Sequence, residues 1–239
     1  MYELDNNPRS VSDVQSFPSE AYMPILKNVY MWMCSALVVS GLVAFVVSGN
    51  VQLLSILFEH SFSLWVILLA QIGLVWFISA RIESISFVTA TILFMLYSVL
   101  TGFTLSTIFL AFTAESIATT FFTTAGTFGA VSLYGYITKR DLSTIGSYLM
   151  MALIGLIIAS VVNLFLKNEM LYWIVSYVGV LIFVGLTAYD TQKIKQLAAH
   201  MCGADEETTN KVALLGAITL YLDFINLFLY ILRILGRRK

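Results

Sequence analysis

Three charged residues stand out in this chain because of where they lie. Asp223 sits inside the run Leu220-Tyr221-Leu222-Asp223-Phe224-Ile225-Asn226-Leu227-Phe228-Leu229-Tyr230. The apolar stretch around it, Val212 to Leu232, is 21 residues long. As a helix at ~1.5 Å per residue it matches the thickness of a bilayer core. A charged, unpaired carboxylate at that depth costs about 3 kcal/mol or more, so Asp223 needs a partner, water or a proton. Asp190 lies in Thr187-Ala188-Tyr189-Asp190-Thr191-Gln192-Lys193, toward one end of the preceding run. Arg81 closes an earlier run and falls at the same membrane face as Asp190.

Two carboxylates within a few ångströms of each other cannot both ionise cheaply, so a proton is shared and the titration belongs to the pair. An arginine beside one of them favours its charged form. Loading a proton and moving Arg81 toward or away from Asp190 are then coupled, which makes a pH-dependent latch. Carboxylates are also hard oxygen ligands of the kind calcium prefers, so Asp190 and Asp223 are the candidate metal ligands. Asn226, three residues after Asp223, shares its helical face and can add an amide oxygen. Plainer roles stay open for each. Asp190 can anchor a helix end or pair with Lys193 at i+3, Asp223 can hold a structural hydrogen bond, and Arg81 can be an interfacial anchor.

The elements that must position these residues are read from composition. Hydrophobic residues make up 59% of the chain and charged residues 11%, with a mean hydropathy of +0.88. Soluble domains carry about 25% charge, so this is an all-α integral membrane protein. The net charge of −1 argues against nucleic acid as a partner. Residues 1–25 read as a polar N-terminal tail without a secretory signal, and 26–239 as a single transmembrane domain. Seven apolar runs follow, near 27–49, 62–80, 85–112, 116–137, 144–166, 170–192 and 212–232. The longest loop is expected from about Lys193 to Lys211.

With the N-terminus in the cytoplasm, the inner side holds Arg9, Lys27, Arg81, Lys139, Arg140, Lys193, Lys195 and Lys211, against Lys167 alone outside. That asymmetry predicts a multi-pass protein of the inner (plasma) membrane with a cytoplasmic N-terminus. Arg233, Arg237, Arg238 and Lys239 create a conflict. A seventh full span places them outside, whereas a re-entrant last segment places them inside. Length favours spanning, and seven helices is the reading adopted.

Other features carry less chemistry. The fourth run, Thr119-Thr120-Phe121-Phe122-Thr123-Thr124-Ala125-Gly126, is rich in small and hydroxylated residues that let helices approach closely in lipid. Cys34 and Cys202 suggest no disulfide and no zinc site. His60 and His200 lack partners at ligand spacing, and Glu59, Glu83, Glu115 and Glu169 sit at helix ends. The three prolines, Pro8, Pro18 and Pro24, all precede the first apolar run, so no proline kinks a later helix.

The segments Leu186-Thr187-Ala188-Tyr189-Asp190-Thr191-Gln192-Lys193-Ile194-Lys195 and Leu220-Tyr221-Leu222-Asp223-Phe224-Ile225-Asn226-Leu227-Phe228 resemble the signature of the Bax inhibitor-1 family, the transmembrane Bax inhibitor motif family. Leu100-Thr101-Gly102-Phe103-Thr104-Leu105-Ser106 and Tyr134-Gly135-Tyr136-Ile137-Thr138-Lys139-Arg140-Asp141-Leu142 resemble its bacterial members. The resemblance runs from about 27 to 237. It implies seven helices, six surrounding a central C-terminal one, and a pH-sensitive calcium leak. It carries the family's aspartate pair onto Asp190 and Asp223 and its latching arginine onto Arg81. Where some members have an acid in the second helix, Gln71 is the nearest polar residue here, so Gln71 and Asn226 are the candidate lining of an ion path.

The leading function is therefore a proton-gated calcium or cation leak with no resident cofactor, calcium being the transported ion. The alternative is a non-transporting regulator that binds other membrane proteins, such as a membrane protease, through the polar tail. An intramembrane aspartyl protease also places two aspartates on adjacent helices, one after a tyrosine as in Tyr189-Asp190. Its Gly-x-Gly-Asp motif and its proline motif near the C-terminus are both missing, so no enzyme is expected.

Overall fold

A computed structural model describes residues 19–58, 62–201 and 203–239. Most of the expected polar tail, with Glu3, Asp5, Arg9 and Asp13, lies outside the described residues, as do Glu59, His60 and Cys202. Among the described residues there are eight helices: α1 Ser19–Ser48, α2 Val51–Phe58, α3 Ser63–Arg81, α4 Phe87–Ala111, α5 Ala114–Ile137, α6 Ser143–Leu166, α7 Glu169–His200 and α8 Glu206–Leu235. The only strand-like pairing among them is an isolated bridge between Phe112 and Arg238.

Six helices, α1, α3, α4, α6, α7 and α8, are long and apolar enough to cross a membrane. α5 crosses with them, because its two ends are fixed at opposite faces. Its start sits beside the chain terminus, where Thr113 N–H donates to the Arg237 carbonyl at 3.1 Å. Its end sits beside the last turns of α7, where Lys195 Nζ donates to the Tyr136 carbonyl at 2.8 Å. Large apolar side chains such as Val46, Trp76, Met151, Phe165 and Leu181 are exposed around the outside. Water tolerates no such surface, and lipid does.

α8 is the central helix. Leu214, Leu220, Tyr221, Leu227 and Leu232 on it are almost wholly buried. α1, α4, α5 and α7 pack directly against it, while α3 is held by α4 and α6 by α7. The residues of α1 explain this arrangement. Tyr22, Ile25, Leu26, Val29, Met33, Ala36 and Ser40 are buried and recur every three or four residues, which makes one inward stripe. Met31, Val38, Leu42 and Phe45 on the other side face outward. α1 and α4 approach most closely at Gly102, where an added Cβ would lie 2.6 Å from Val43 Cβ and 2.7 Å from the Ser40 carbonyl.

One sequence expectation about a connection needs correction. Residues 193–200 do not belong to a loop: α7 continues to His200, and only residues 201–205 connect it to α8. The stretch between the first two long helices contains the short helix α2. In addition, α1 begins at Ser19, so the last seven residues of the stretch read as a tail, 19–25, are helical, with Pro24 inside the helix.

Candidate functional site: a buried carboxyl pair

α7 and α8 form an antiparallel hairpin that brings Asp190 and Asp223 together. Each helix has a defined start. Asn168 Oδ1 accepts from the Leu171 amide at 3.0 Å, and Asp205 Oδ2 accepts from the Thr208 amide at 2.9 Å, so each caps otherwise unpaired amides. Asp190 and Asp223 then face each other side by side across the hairpin. Only 9% of Asp190 and 5% of Asp223 is exposed. Asp223 Oδ2 is buried with no hydrogen-bond partner. A hydrogen bond between two carboxyls needs a proton on one of them, because two carboxylates are acceptors only.

Small residues hold α7 in register at this level. At Gly135 of α5 an added Cβ would run into the Ala188 carbonyl, and at Gly146 of α6 it would lie 2.5 Å from the Tyr189 ring. Both contacts fall within two residues of Asp190. One turn further, Gln192 clips the α5–α6 connection: its Nε2 donates to the Arg140 carbonyl at 2.8 Å and its Oε1 accepts from the Leu142 amide at 2.9 Å. Lys195 Nζ lies 4.7 Å from the centre of the Tyr136 ring and also donates to the Tyr136 carbonyl, which satisfies an orphan acceptor at the end of α5. Asp190 is therefore tied to the membrane face where α5 ends and α6 begins.

The other side of the pair is apolar. Phe224, Leu227 and Phe228 of α8 are buried. Phe224 makes edge contacts with Phe128 at 5.4 Å and Phe121 at 5.6 Å, and Phe228 reaches Phe121 at 6.4 Å. This cluster packs α5 against α8 beside the pair.

The remaining sequence candidates lie elsewhere. Arg81 is exposed at the end of α3 and forms no ion pair among the described residues. Lys193 lies one turn along α7 from Asp190, and among the described residues the two form no salt bridge. Lys193 is exposed and lies 5.9 Å from the Tyr189 ring. Gln71 is buried in the α3–α4 contact and donates to Thr101 Oγ1 at 3.3 Å and to Thr104 Oγ1 at 3.4 Å. Asn226 is half-buried, and its Nδ2 donates to the Leu222 carbonyl of its own helix at 2.8 Å. Among the described residues no third His, Cys, Asp or Glu joins the two aspartates as a metal cluster.

Sequence reading missed a second buried polar group on α8. The Tyr221 hydroxyl shares a 2.6 Å hydrogen bond with Ser40 Oγ, and Ser40 Oγ also lies 2.8 Å from the Ser98 carbonyl. The Tyr221 ring packs edge-on against Phe94 and Tyr97, each at 5.8 Å. This group ties α8 to α1 and α4 two residues before Asp223. A tyrosine in the middle of an apolar run, level with hydroxyls on two other runs, is the signal that pointed to it.

Residues 23–239 match the family described as Inhibitor of apoptosis-promoting Bax1. Inner membrane protein YbhL of Escherichia coli K12 is 50% identical over 236 residues, covering 99% of this chain and 100% of that protein. An uncharacterized protein of Borreliella burgdorferi is 48% identical over 90% of this chain and 92% of its own length. One from Deinococcus radiodurans is 37% identical over 87% of this chain and 88% of its own length.

Proposed function

The chain belongs to the Bax inhibitor-1 family of membrane proteins, and from that premise we propose that it is a pH-sensitive leak for calcium. In this reading Asp190 and Asp223 are both the sensor and the transient ion ligands. One observation carries it: two buried carboxyls on the closely packed helices α7 and α8 face each other, with an aromatic cluster beside them.

The chemistry follows from that geometry. With a proton shared, the pair is bonded and α7 is held against α8. When the last proton leaves, two negative charges face each other in a poorly solvated site and repel strongly. A divalent cation relieves the same repulsion, so proton loss and cation entry favour one state. Two carboxylates supply at most four of the about six to eight oxygens that calcium takes, and water must supply the rest. That suits an ion in passage better than a resident one. For flux, Phe224, Leu227 and Phe228 must move off Phe121 and Phe128. Arg81 stands clear of Asp190 in this state, so any latching role belongs to a different arrangement of α3. The pair is not read as catalytic, and the Escherichia coli relative is named as an inner membrane protein.

The test is calcium uptake by proteoliposomes at stepped pH. Wild-type flux should change with pH, and Asp190→Asn and Asp223→Asn should each flatten that change while the protein stays folded. A wild-type flux that ignores pH, or a pH response that survives both substitutions, would reject the reading.

A further inference from the structure

The basic residues at the chain's end have no role in the carboxyl pair, and they lie on the face that charge asymmetry disfavours. Two of them, Arg233 and Arg238, converge with Lys167 on a pocket of about 950 Å³ between the end of α6, the start of α7 and the end of α8. Lys167, Arg233 and Arg238 line it, together with Tyr172 and Trp173. The Arg233 guanidinium lies 5.1 Å from the Tyr230 ring and 5.9 Å from the Tyr172 ring. The Arg238 guanidinium lies 5.8 Å from the Tyr172 ring, and its Nη2 donates to the Tyr172 hydroxyl at 3.3 Å.

Aromatic stacking holds both planar forks in place without a carboxylate, which leaves most of their N–H donors free for an anion. Glu169 is the one acidic residue in the lining, and none of the three cations forms an ion pair with it. The start of α7, capped by Asn168, opens into the same space and adds a positive helix end.

We propose that this pocket binds the headgroup phosphate of an acidic phospholipid through Arg233, Arg238 and Lys167. The lining decides between a lipid and a free anion. Trp173, Val161 and Leu164 form an apolar wall on the lipid-facing side, and tyrosine and tryptophan mark the headgroup level of a bilayer. A phosphate with an attached acyl chain satisfies both halves of the site; a soluble phosphate satisfies one. The inference stands apart from ion flux, because it concerns the end of α8 beyond the aromatic cluster.

The experiment uses delipidated full-length protein in detergent. Retention of phosphatidylglycerol and of phosphatidylcholine is followed by native mass spectrometry. Wild type should prefer phosphatidylglycerol, and Arg233→Gln with Arg238→Gln should weaken that binding by about thirtyfold, at roughly tenfold or less per lost surface cation, leaving phosphatidylcholine unchanged. If the double variant melts early, Lys167→Gln with Arg238→Gln, both exposed, takes its place. Lys139→Gln on the opposite face should change nothing. Equal binding of the two lipids, undiminished binding in both charge variants, or full displacement by millimolar inorganic phosphate would each overturn the proposal.

Discussion

A carboxyl pair in contact can share one proton or help to hold one calcium ion, and the two occupants exclude each other. Calcium binds the deprotonated pair, so its binding releases protons and its apparent affinity must rise with pH. The sign is fixed by that exclusion. Raising calcium should move the pH midpoint of the pair toward acid, by up to about one pH unit per tenfold rise if one proton is displaced. The carboxylic-acid infrared band of the purified protein reports this directly: it should shrink on calcium addition at fixed pH and be reduced from the outset in Asp223→Asn. A band indifferent to calcium would leave the pair as a structural bond. Asp223 was legible from sequence because a lone acid in a long apolar run has few inexpensive explanations. Gln192 and Lys195 were not, because a polar residue near the end of an apolar run carries no sign of what it bonds. Those partners are backbone carbonyls at Tyr136 and Arg140 and an amide at Leu142, and no side-chain pattern announces them.

At the scale of elements, α7 is positioned by close backbone approach. Gly135 faces the Ala188 carbonyl with no space for a methyl group, so Gly135→Ala must push α5 away from α7. The expected cost is about 1–3 kcal/mol, read as a lower melting temperature in detergent, with a shift in the pH response because Ala188 is two residues from Asp190. An unchanged melting temperature would mean that α5 and α7 are less tightly joined than they stand here. The start of α8 supplies a contrast. Two hydrogen bonds from Thr208, amide first and hydroxyl second, hold the Asp205 carboxyl below the usual carboxylate range. A lowered folded value stabilises the helix start above the unfolded value, and that contribution is lost only as pH falls through the lowered one. Exchange protection of the Thr208 amide should therefore be flat from about pH 5 upward and weak at every pH in Asp205→Ala. Protection that titrates near neutrality would show that the pH response does not begin at the pair. The extents of α4, α5 and α6 follow their apolar runs closely. α7 outruns its apolar run because Ile194, Ala198 and Ala199 beyond it are buried against protein, which lets a mixed sequence stay helical.

For the whole molecule, the open question in the sequence was whether the last helix crosses. Length said that it does, and four terminal cations said that it does not. The fold answers through hydrogen bonds. Lys239 Nζ donates to the Phe109 carbonyl at 2.7 Å, and the Arg237 amide donates to Ser116 Oγ at 3.0 Å, so the tail is fastened between α4 and α5, at the face opposite the start of α1. α8 therefore crosses, and its end lies on the side opposite the start of α1. The charge asymmetry of the earlier connections predicts the orientation, because the first helices usually dominate. The cations of the tail can then face outward if they bond backbone carbonyls, stack on Tyr172 and Tyr230, and meet acidic headgroups. The expected result is an active alkaline phosphatase fused after Lys239 and a dark cytoplasm-dependent fluorescent protein at the same place, with the N-terminal fusions giving the reverse. Should both ends report the same side, the crossing of α8 fails, and with it the placement of the carboxyl pair on a through-path. Should the ends be opposite but inverted, the path survives and only the face from which protons reach Asp190 changes, which sided pH jumps on oriented vesicles would then separate.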